Sequence, residues 1–371
     1  MKVLHIAETI RGGIATHLNA LIPGLQTHAG EDNIRCLVPD AHAADLDAVP
    51  ASAIRTFRRP SRLGGLAPLV VASVREIRDW KPDVVHLHSS FAGALIRPIA
   101  ALTRARVVYT PHCWSMARET DPLKIRAYGT IERLLSLLTD RIVAGSTDEA
   151  VVGERAGIAS SRIALIFNGL PATPPAFAPG ERTDTRLKLL FIGRLDRQKG
   201  VDILLKAIRP LQDRVSLEIA GDAVVADSSV SFEGLTNVTR LGWISPAEVS
   251  RRLSVCDAAV LPSRWEGLCY VPMEAMRVSK PVLAARVGGL KDLVLDGQTG
   301  FFFEPESPEA LQTLLEGLAP GDALAAMGEA GHRYFMDTFT AEKMTGATWA
   351  LYRDLVGGAV QLPRNQPRKE G

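Results

Sequence analysis

Short runs of three to six residues, mostly apolar and rich in β-branched side chains, recur along the chain, separated by longer stretches in which apolar residues return every three or four positions. The runs predict strands. In the first half they are Lys2–Ala7, Ile34–Val38, Val84–His88, Val107–Thr110, Ile142–Ala144 and Ile163–Phe167. They are continuous rather than alternating, the pattern of parallel strands covered on both faces. The intervening stretches predict helices, among them Ala15–Gln26, Leu66–Trp80 and Ile125–Leu138. This alternation specifies a doubly wound α/β domain. It stops at Pro171–Gly180, where four prolines in ten residues predict a linker. It then resumes with Leu187–Ile192, Val215–Ala220, Val238–Leu241, Ala258–Leu261, Pro281–Ala285 and Gly300–Phe303. The expectation is two Rossmann-like domains in tandem, residues 1–172 and 187–340, joined by a linker at 173–186. A further helix at 341–357 precedes a polar tail, 358–371, that reads as frayed.

Composition removes several classes. With 371 residues, 46% apolar and 23% charged, the chain suits two soluble globular domains and not a disordered, collagen-like or disulfide-dense one. Cys36, Cys113, Cys256 and Cys269 are widely spread with no C-x-x-C pair, as in a reducing cytoplasm. The first residues lack a signal-peptide pattern, and Arg97 interrupts the longest apolar candidate, Ser89–Leu102. A cytoplasmic protein, at most peripheral on a membrane, is expected. The net charge of +2 argues against nucleic acid as a partner. Residues 1–180 hold 20 basic and 16 acidic side chains, residues 181–371 the remaining 23 and 25. The densest patch, Arg55, Arg58, Arg59 and Arg62, is either a solvated face or a site of attraction to an anionic membrane surface.

Ligands of open α/β sheets bind at the carboxyl ends of the strands, so two facing domains make one cleft lined by the residues after each strand. After the first strand, Gly12-Gly13 open a helix, which lets backbone approach a phosphate but is not the G-x-G-x-x-G fingerprint. After Leu187–Ile192 comes Gly193-Arg-Leu-Asp-Arg-Gln-Lys-Gly200, where Arg194 and Lys199 read either as a diphosphate clamp or as solvated loop charge. After Ala258–Leu261 comes Pro262-Ser-Arg-Trp-Glu-Gly-Leu-Cys-Tyr-Val-Pro-Met-Glu274. Pro272 predicts a helix start with Glu274 in its first turn and Glu266 on the loop before it. The two carboxylates suit hydroxyl-bearing parts of a ligand, and the amides of Gly267 to Tyr270 with the helix N-terminus suit a phosphate. Glu274 also reads as a charge stabilising its own helix. The only D-x-D, Asp45-Leu-Asp47, reads as a solvated helix face, and His86 with His88 lack further ligands, so no metal site is expected.

In their order and spacing, Gly12-Gly13, Val84-Val-His-Leu-His88, Thr110-Pro-His112, Asn168-Gly169, the Gly193–Gly200 loop, the Glu266/Glu274 pair and Val287-Gly-Gly289 through Asp296-Gly-Gln-Thr-Gly300 resemble the retaining glycosyltransferases of family 4. The resemblance covers nearly the whole chain and implies the two-domain GT-B fold. It implies that Arg194, Lys199, Gly13 and the amides of Leu268, Cys269 and Tyr270 bind the diphosphate of a nucleotide sugar. Glu266 would bind the donor-sugar hydroxyls, with Gly267 and His112 beside the sugar, and Glu274 the ribose. His112 and Glu266 are the catalytic candidates. Cys269 departs from the glycine or proline of many relatives, but its amide is retained. The last helix would cross back onto the first domain. No cofactor is implied, a UDP-sugar is preferred over a GDP-sugar, and the expected acceptor is a saccharide or lipid-linked saccharide of bacterial polysaccharide assembly. A nucleotide-sugar epimerase of the same fold and a non-catalytic nucleotide-sugar-binding subunit are the rival readings.

Overall fold

A computed structural model describes residues 1–10, 12–61, 64–118, 121–178, 185–222 and 231–357. Part of the expected linker, the tail from 358 and Arg62 lie outside the described residues. A seven-stranded parallel sheet holds β1 (Val3–Ala7), β2 (Ile34–Pro39), β3 (Ile54–Phe57), β4 (Val84–His88), β5 (Arg106–Thr110), β6 (Arg141–Ala144) and β7 (Ile163–Leu165), in the order β3-β2-β1-β4-β5-β6-β7. Around it run α1 (Gly13–Ala29), α2 (Leu66–Trp80), α3 (Ser90–Ala100), α4 (Ser115–Arg118), α5 (Pro122–Ser136) and α6 (Thr147–Arg155). A six-stranded sheet holds β8 (Leu187–Ile192), β9 (Val215–Ala220), β10 (Val238–Gly242), β11 (Ala258–Leu261), β12 (Val282–Ala285) and β13 (Gly300–Phe303), in the order β10-β9-β8-β11-β12-β13. Its helices are α7 (Val201–Ile208), α8 (Pro246–Val255), α9 (Val271–Arg277), α10 (Leu290–Leu293), α11 (Pro308–Glu316) and α12 (Asp322–Thr338), followed by α13 (Ala341–Gly357).

The central strands β1, β4, β11 and β12 are buried at every position, which is why they read as unbroken apolar runs. β3 escaped that pattern. It is an edge strand whose Ile54 and Arg55 are only half-buried and whose Thr56 is exposed, so its sequence reads as part of a basic patch. The Asp45/Asp47 segment forms a 3₁₀ turn, Asp40–Asp45, rather than a helix, and both carboxylates are exposed.

Helix α13 leaves the second sheet and packs on α1. Trp349 stacks on His28 at 5.6 Å, and Met344, Leu351 and Tyr352 join the core on the α1 face of the first sheet. The crossing is fastened by backbone. The Leu170 N–H donates to the Phe339 carbonyl at 3.0 Å and the Ala341 N–H to the Leu170 carbonyl at 2.7 Å. Across the two halves, the Thr147 hydroxyl donates to Asp292 at 2.6 Å and Lys291 pairs with Asp148 at 3.0 Å.

Candidate active site

In each sheet the strand order reverses once, between β1 and β4 and between β8 and β11. Those switch points open a crevice at the carboxyl ends of the strands. The Gly12-Gly13 turn, His88, the Gly193–Gly200 loop and Glu266 all lie at these four strand ends.

On the second-domain wall the residues of two loops meet. The Lys199 ammonium donates to Glu266 Oε1 at 2.5 Å, and the Ser263 hydroxyl donates to the same oxygen at 2.8 Å. Glu266 is 8% exposed, so this is an ion pair in a partly dry place. Burial works to lower the Lys199 pKa, but the Glu266 carboxylate outweighs it and holds the ammonium above its usual range. Among the described residues Glu266 Oε2 receives no hydrogen bond, leaving it for a ligand hydroxyl. The loop is held from behind by Arg264, whose guanidinium grips both oxygens of Asp202 at 2.8 and 2.9 Å. Two glycines are required by geometry. At Gly288 (φ 44°) a Cβ would stand 2.0 Å from the Glu266 carbonyl, and at Gly200 (φ 66°) 2.0 Å from the Pro262 carbonyl.

Glu274 lies in the first turn of α9, half-buried, with burial raising its pKa and Arg277 drawing it back. Its carboxylate forms no side-chain hydrogen bond or ion pair among the described residues. The Tyr270 hydroxyl is buried without a partner. The Cys269 thiol is pushed up by burial and by Glu266, so it stays protonated and is no nucleophile. Arg194 points elsewhere: it donates to Gln198 at 3.0 Å, pairs with Asp196 at 3.2 Å, and is 48% exposed. Helix α9 has only seven residues, so its dipole is weaker than the sequence suggested. The 17-residue α1 is the larger dipole, and a Cβ on its first residue, Gly13, would stand 3.8 Å from the Tyr270 ring across the cleft.

The first-domain wall holds something the sequence reading missed. Five histidines, His5, His17, His86, His88 and His112, pack together. Parallel register places His5 opposite His86, and His88 opposite Thr110. His112 Nε2 meets His88 Nδ1 at 2.9 Å, and His88 Nε2 meets His5 Nδ1 at 3.0 Å. His86 is bonded through Nε2 to the Thr110 hydroxyl at 2.7 Å and through Nδ1 to the Tyr352 hydroxyl of α13. Asn168 donates from its amide to the Leu268 carbonyl at 2.9 Å, so its Oδ1 accepts from His17 Nδ1 at 3.1 Å. That bond leaves the lone pair of His17 on Nε2. Burial lowers all five pKa values, His5 to about 3 and His17 to about 4; the charges of neighbouring imidazoles add to it at His5, His86, His88 and His112, while the Asn168 hydrogen bond opposes it at His17. The cluster is neutral at pH 7. His112 is therefore a neutral hydrogen-bonding ring, presented on a turn where it and Cys113 adopt positive φ of 52° and 92°.

Two groups, His5/His86/His88 and His17/His88/His112, bring ring nitrogens within 4.8 Å of one another. Both nitrogens of His86 and of His88 are already bonded. Of the buried ring nitrogens in these groups, His5 Nε2 and His17 Nε2 have no partner among the described residues.

The walls touch at Gly267, where a Cβ would stand 3.5 Å from Cys113 Cβ and 3.3 Å from Glu149. The cleft thus brings Lys199, Glu266 and Gly267 close to the His112–Cys113 turn and Gly13 close to Tyr270. Of the basic patch, Arg55 and Arg59 are engaged within the first domain. Arg59 reaches Glu8 at 3.4 Å and Arg55 donates to the carbonyls of Ser52 and Ile54.

Two family models together match almost the entire chain: "Glycosyltransferase Family 4" over residues 11–173 and "Glycosyl transferases group 1" over residues 174–331. A 41.2 kDa protein in the cps region of Klebsiella pneumoniae is 31% identical over 85% of this chain and 89% of its own. The D-inositol 3-phosphate glycosyltransferase of Segniliparus rotundus is 26% identical over 89% of this chain and 79% of its own. Among solved structures, Anabaena HepE in complex with UDP and glucose superimposes with a TM-score of 0.78 at 20% identity, covering 95% of this chain and 99% of its own. Sucrose-phosphate synthase from Thermosynechococcus elongatus gives 0.79 at 19% identity, covering 97% and 100%. The fold of those structures is GT-B.

Proposed function

Because the chain belongs to the family 4 glycosyltransferases, with a group 1 transferase domain in its second half, we propose that it moves a hexose, with retention of configuration and without a metal, from a nucleotide-diphosphate sugar to a saccharide or lipid-linked saccharide. The observation that carries this is the Lys199–Glu266 pair at the β8/β11 switch point, with Glu274 eight residues further on in the first turn of α9. A UDP-sugar is favoured because the Anabaena relative was solved with UDP and with UDP-glucose. The relative in a cps region supports an acceptor from surface polysaccharide assembly, built at the inner face of the cell membrane.

Breaking the sugar–diphosphate bond leaves oxocarbenium character on the sugar and negative charge on the departing phosphates. Preorganised positive charge beside those phosphates is the largest help available. An ammonium has three N–H donors, so Lys199 can hold Glu266 and a phosphate oxygen together. Arg194 swings from its own loop to the outer phosphate, and the amides of Leu268, Cys269 and Tyr270 with Gly13 complete the cradle. Glu266 Oε2 grips sugar hydroxyls beside Gly267 and neutral His112. Glu274 takes the ribose. No side chain is assigned as a covalent nucleophile.

The deciding experiment incubates the protein with UDP-hexoses and candidate saccharides. Acceptor-dependent release of UDP supports the proposal. Interconversion of the sugar nucleotide without an acceptor points to an epimerase, and stabilisation by nucleotide without turnover to a binding subunit. Two further outcomes are expected. Arg194→Ala should weaken donor binding by about 1.5–3 kcal/mol, roughly ten- to a hundredfold, with an unchanged melting temperature, because the side chain is half exposed. Near-normal kinetics would remove Arg194 from the clamp. Turnover should also survive exhaustive EDTA treatment; loss restored by Mg²⁺ or Mn²⁺ would contradict the metal-free reading.

A further inference from the structure

One face of the first sheet carries imidazoles where apolar side chains would pack more simply. Successive strand residues alternate between faces, so β1 presents Val3, His5 and Ala7 there and β4 presents Val84, His86 and His88. All six are fully buried. A buried ring of this kind is costly unless its N–H and its lone pair are answered. His86 is answered by the Thr110 and Tyr352 hydroxyls. The others answer one another.

Three of them form a line across neighbouring strands. His112, on the turn after β5, meets His88 at the end of β4 at 2.9 Å, and His88 meets His5 of β1 at 3.0 Å. A neutral imidazole has one N–H and one lone pair, so the line can be protonated in only two ways. In the first, His112 Nε2–H donates to His88 Nδ1, His88 Nε2–H donates to His5 Nδ1, and the last N–H falls on His5 Nε2. That atom is buried and has no partner among the described residues. In the second, His5 Nδ1–H donates to His88 Nε2, and His88 Nδ1–H donates to His112 Nε2. His5 Nε2 then keeps only a lone pair, and the last N–H falls on His112 Nδ1. The His112 ring is only part-buried, so water or a ligand can answer a donor at that end. An orphaned buried N–H is the rarer defect, which selects the second arrangement. A His88 charged to donate both ways would be a buried cation, which its burial opposes.

We propose that His88 and His5 are positioning residues that fix His112 as its Nδ1–H tautomer, so that its outer nitrogen donates to an oxygen of the ligand. Which ring nitrogen carries the proton is set by the bond the other nitrogen makes. An imidazole free in water favours the Nε2–H form, and the line reverses that preference. Its three members stand on or beside adjacent strands of one sheet, which holds their rings in register. A fixed donor accepts a hydroxyl, ring or phosphate oxygen and rejects an amine at the same place. The tautomer follows from the hydrogen bonds alone; that the oxygen belongs to the transferred sugar rests on the transferase reading above.

Nitrogen NMR of the full chain, labelled with ¹⁵N at histidine, reads the tautomers without an enzyme assay. At pH 7.5 His112 and His5 should each show a protonated Nδ1 and a bare Nε2. His112→Asn, which tolerates the positive φ, identifies the His112 signals by their loss. His88→Leu removes the donor to His112 Nε2 and should shift His112 toward the Nε2–H form. His88→Asn, whose amide can stand where Nδ1 stood, should restore Nδ1–H. In transfer from a UDP-hexose, His88→Leu should lower kcat about ten- to a hundredfold with the Kd for UDP unchanged, and His88→Asn should recover most of it. A proton on His112 Nε2 in the unaltered chain, an imidazolium there, or an unshifted His112 in His88→Leu would overturn the assignment. If His88→Leu fails to fold, the spectrum of the unaltered chain decides by itself. The expected tautomers in a chain that transfers to no saccharide would overturn the transferase reading and support this one. Transfer by a chain whose His112 carries its proton on Nε2 would do the reverse.

Discussion

Lowering the pH from 7.5 to 5 should remove most of the stability of the first domain. The five clustered imidazoles are neutral in the fold, His5 with a pKa near 3 and His17 near 4, the other three also lowered. In the unfolded chain each titrates near 6.5. Above pH 7.5 both states are neutral and the groups have no influence. As pH falls below 6.5 the unfolded chain takes up protons that the fold refuses, so stability falls with pH. At pH 5.5 His5 and His17 each cost about 1.4 kcal/mol, and the other three add to the loss in the same direction, against a total stability of about 5–15 kcal/mol for an ordinary domain. Glu274 and Asp292, both raised by burial, lean the other way, two groups against five. Denaturant titrations from pH 8 to 5 should show the loss, with proton uptake on unfolding approaching about five. His5→Gln and His17→Gln should each move the acid transition to lower pH. A melting temperature that stays level down to pH 5 would mean that water reaches the cluster and the imidazoles charge in place.

The histidine cluster also shows where sequence reading runs out. The strands were legible because parallel strands buried on both faces leave unbroken apolar runs, as at Ala258–Leu261. The strand order was not legible. His5, His86 and Thr110 become neighbours only because β1 lies against β4 and β4 against β5, a pairing that local pattern does not encode. Lys199 and Glu266 were each visible as the charge after a strand, but their 2.5 Å contact depends on β11 crossing over to lie beside β8. The Ile125–Leu138 segment showed its helical period plainly. Period alone does not say which face is buried, and here Arg97, distant in sequence, reverses the usual answer. Tyr352 and Ser263 were missed for a simpler reason. A hydroxyl that supports another side chain leaves no motif of its own.

The Lys199–Glu266 contact predicts a split between stability and catalysis that separates the two glutamates. Lys199→Ala strands a carboxylate that is 8% exposed, and breaking a buried pair from one side costs about 3–5 kcal/mol. The lower end is expected, because the lysine side chain keeps 15% of its exposure and water can enter. Adding Glu266→Gln removes the stranded charge, so the double variant should regain most of the lost stability while remaining inactive. A coupling energy near zero would show that the pair is not energetically real. In the reaction the same residues divide differently. On the proposed assignment Glu266 would hold the sugar most tightly while it carries developing positive charge, so Glu266→Gln should lower kcat about a hundred- to a thousandfold with free UDP still bound. Glu274 is the proposed ribose partner, which would be remote from the breaking bond and common to donor and free diphosphate. Glu274→Gln should therefore raise KM and the Kd for UDP together and leave kcat nearly alone. Calorimetry of UDP against both variants decides the assignment. If Glu266→Gln loses UDP and Glu274→Gln keeps it, the roles are reversed. If neither variant changes binding or rate, Glu266 serves only to hold Lys199 and the loop in place.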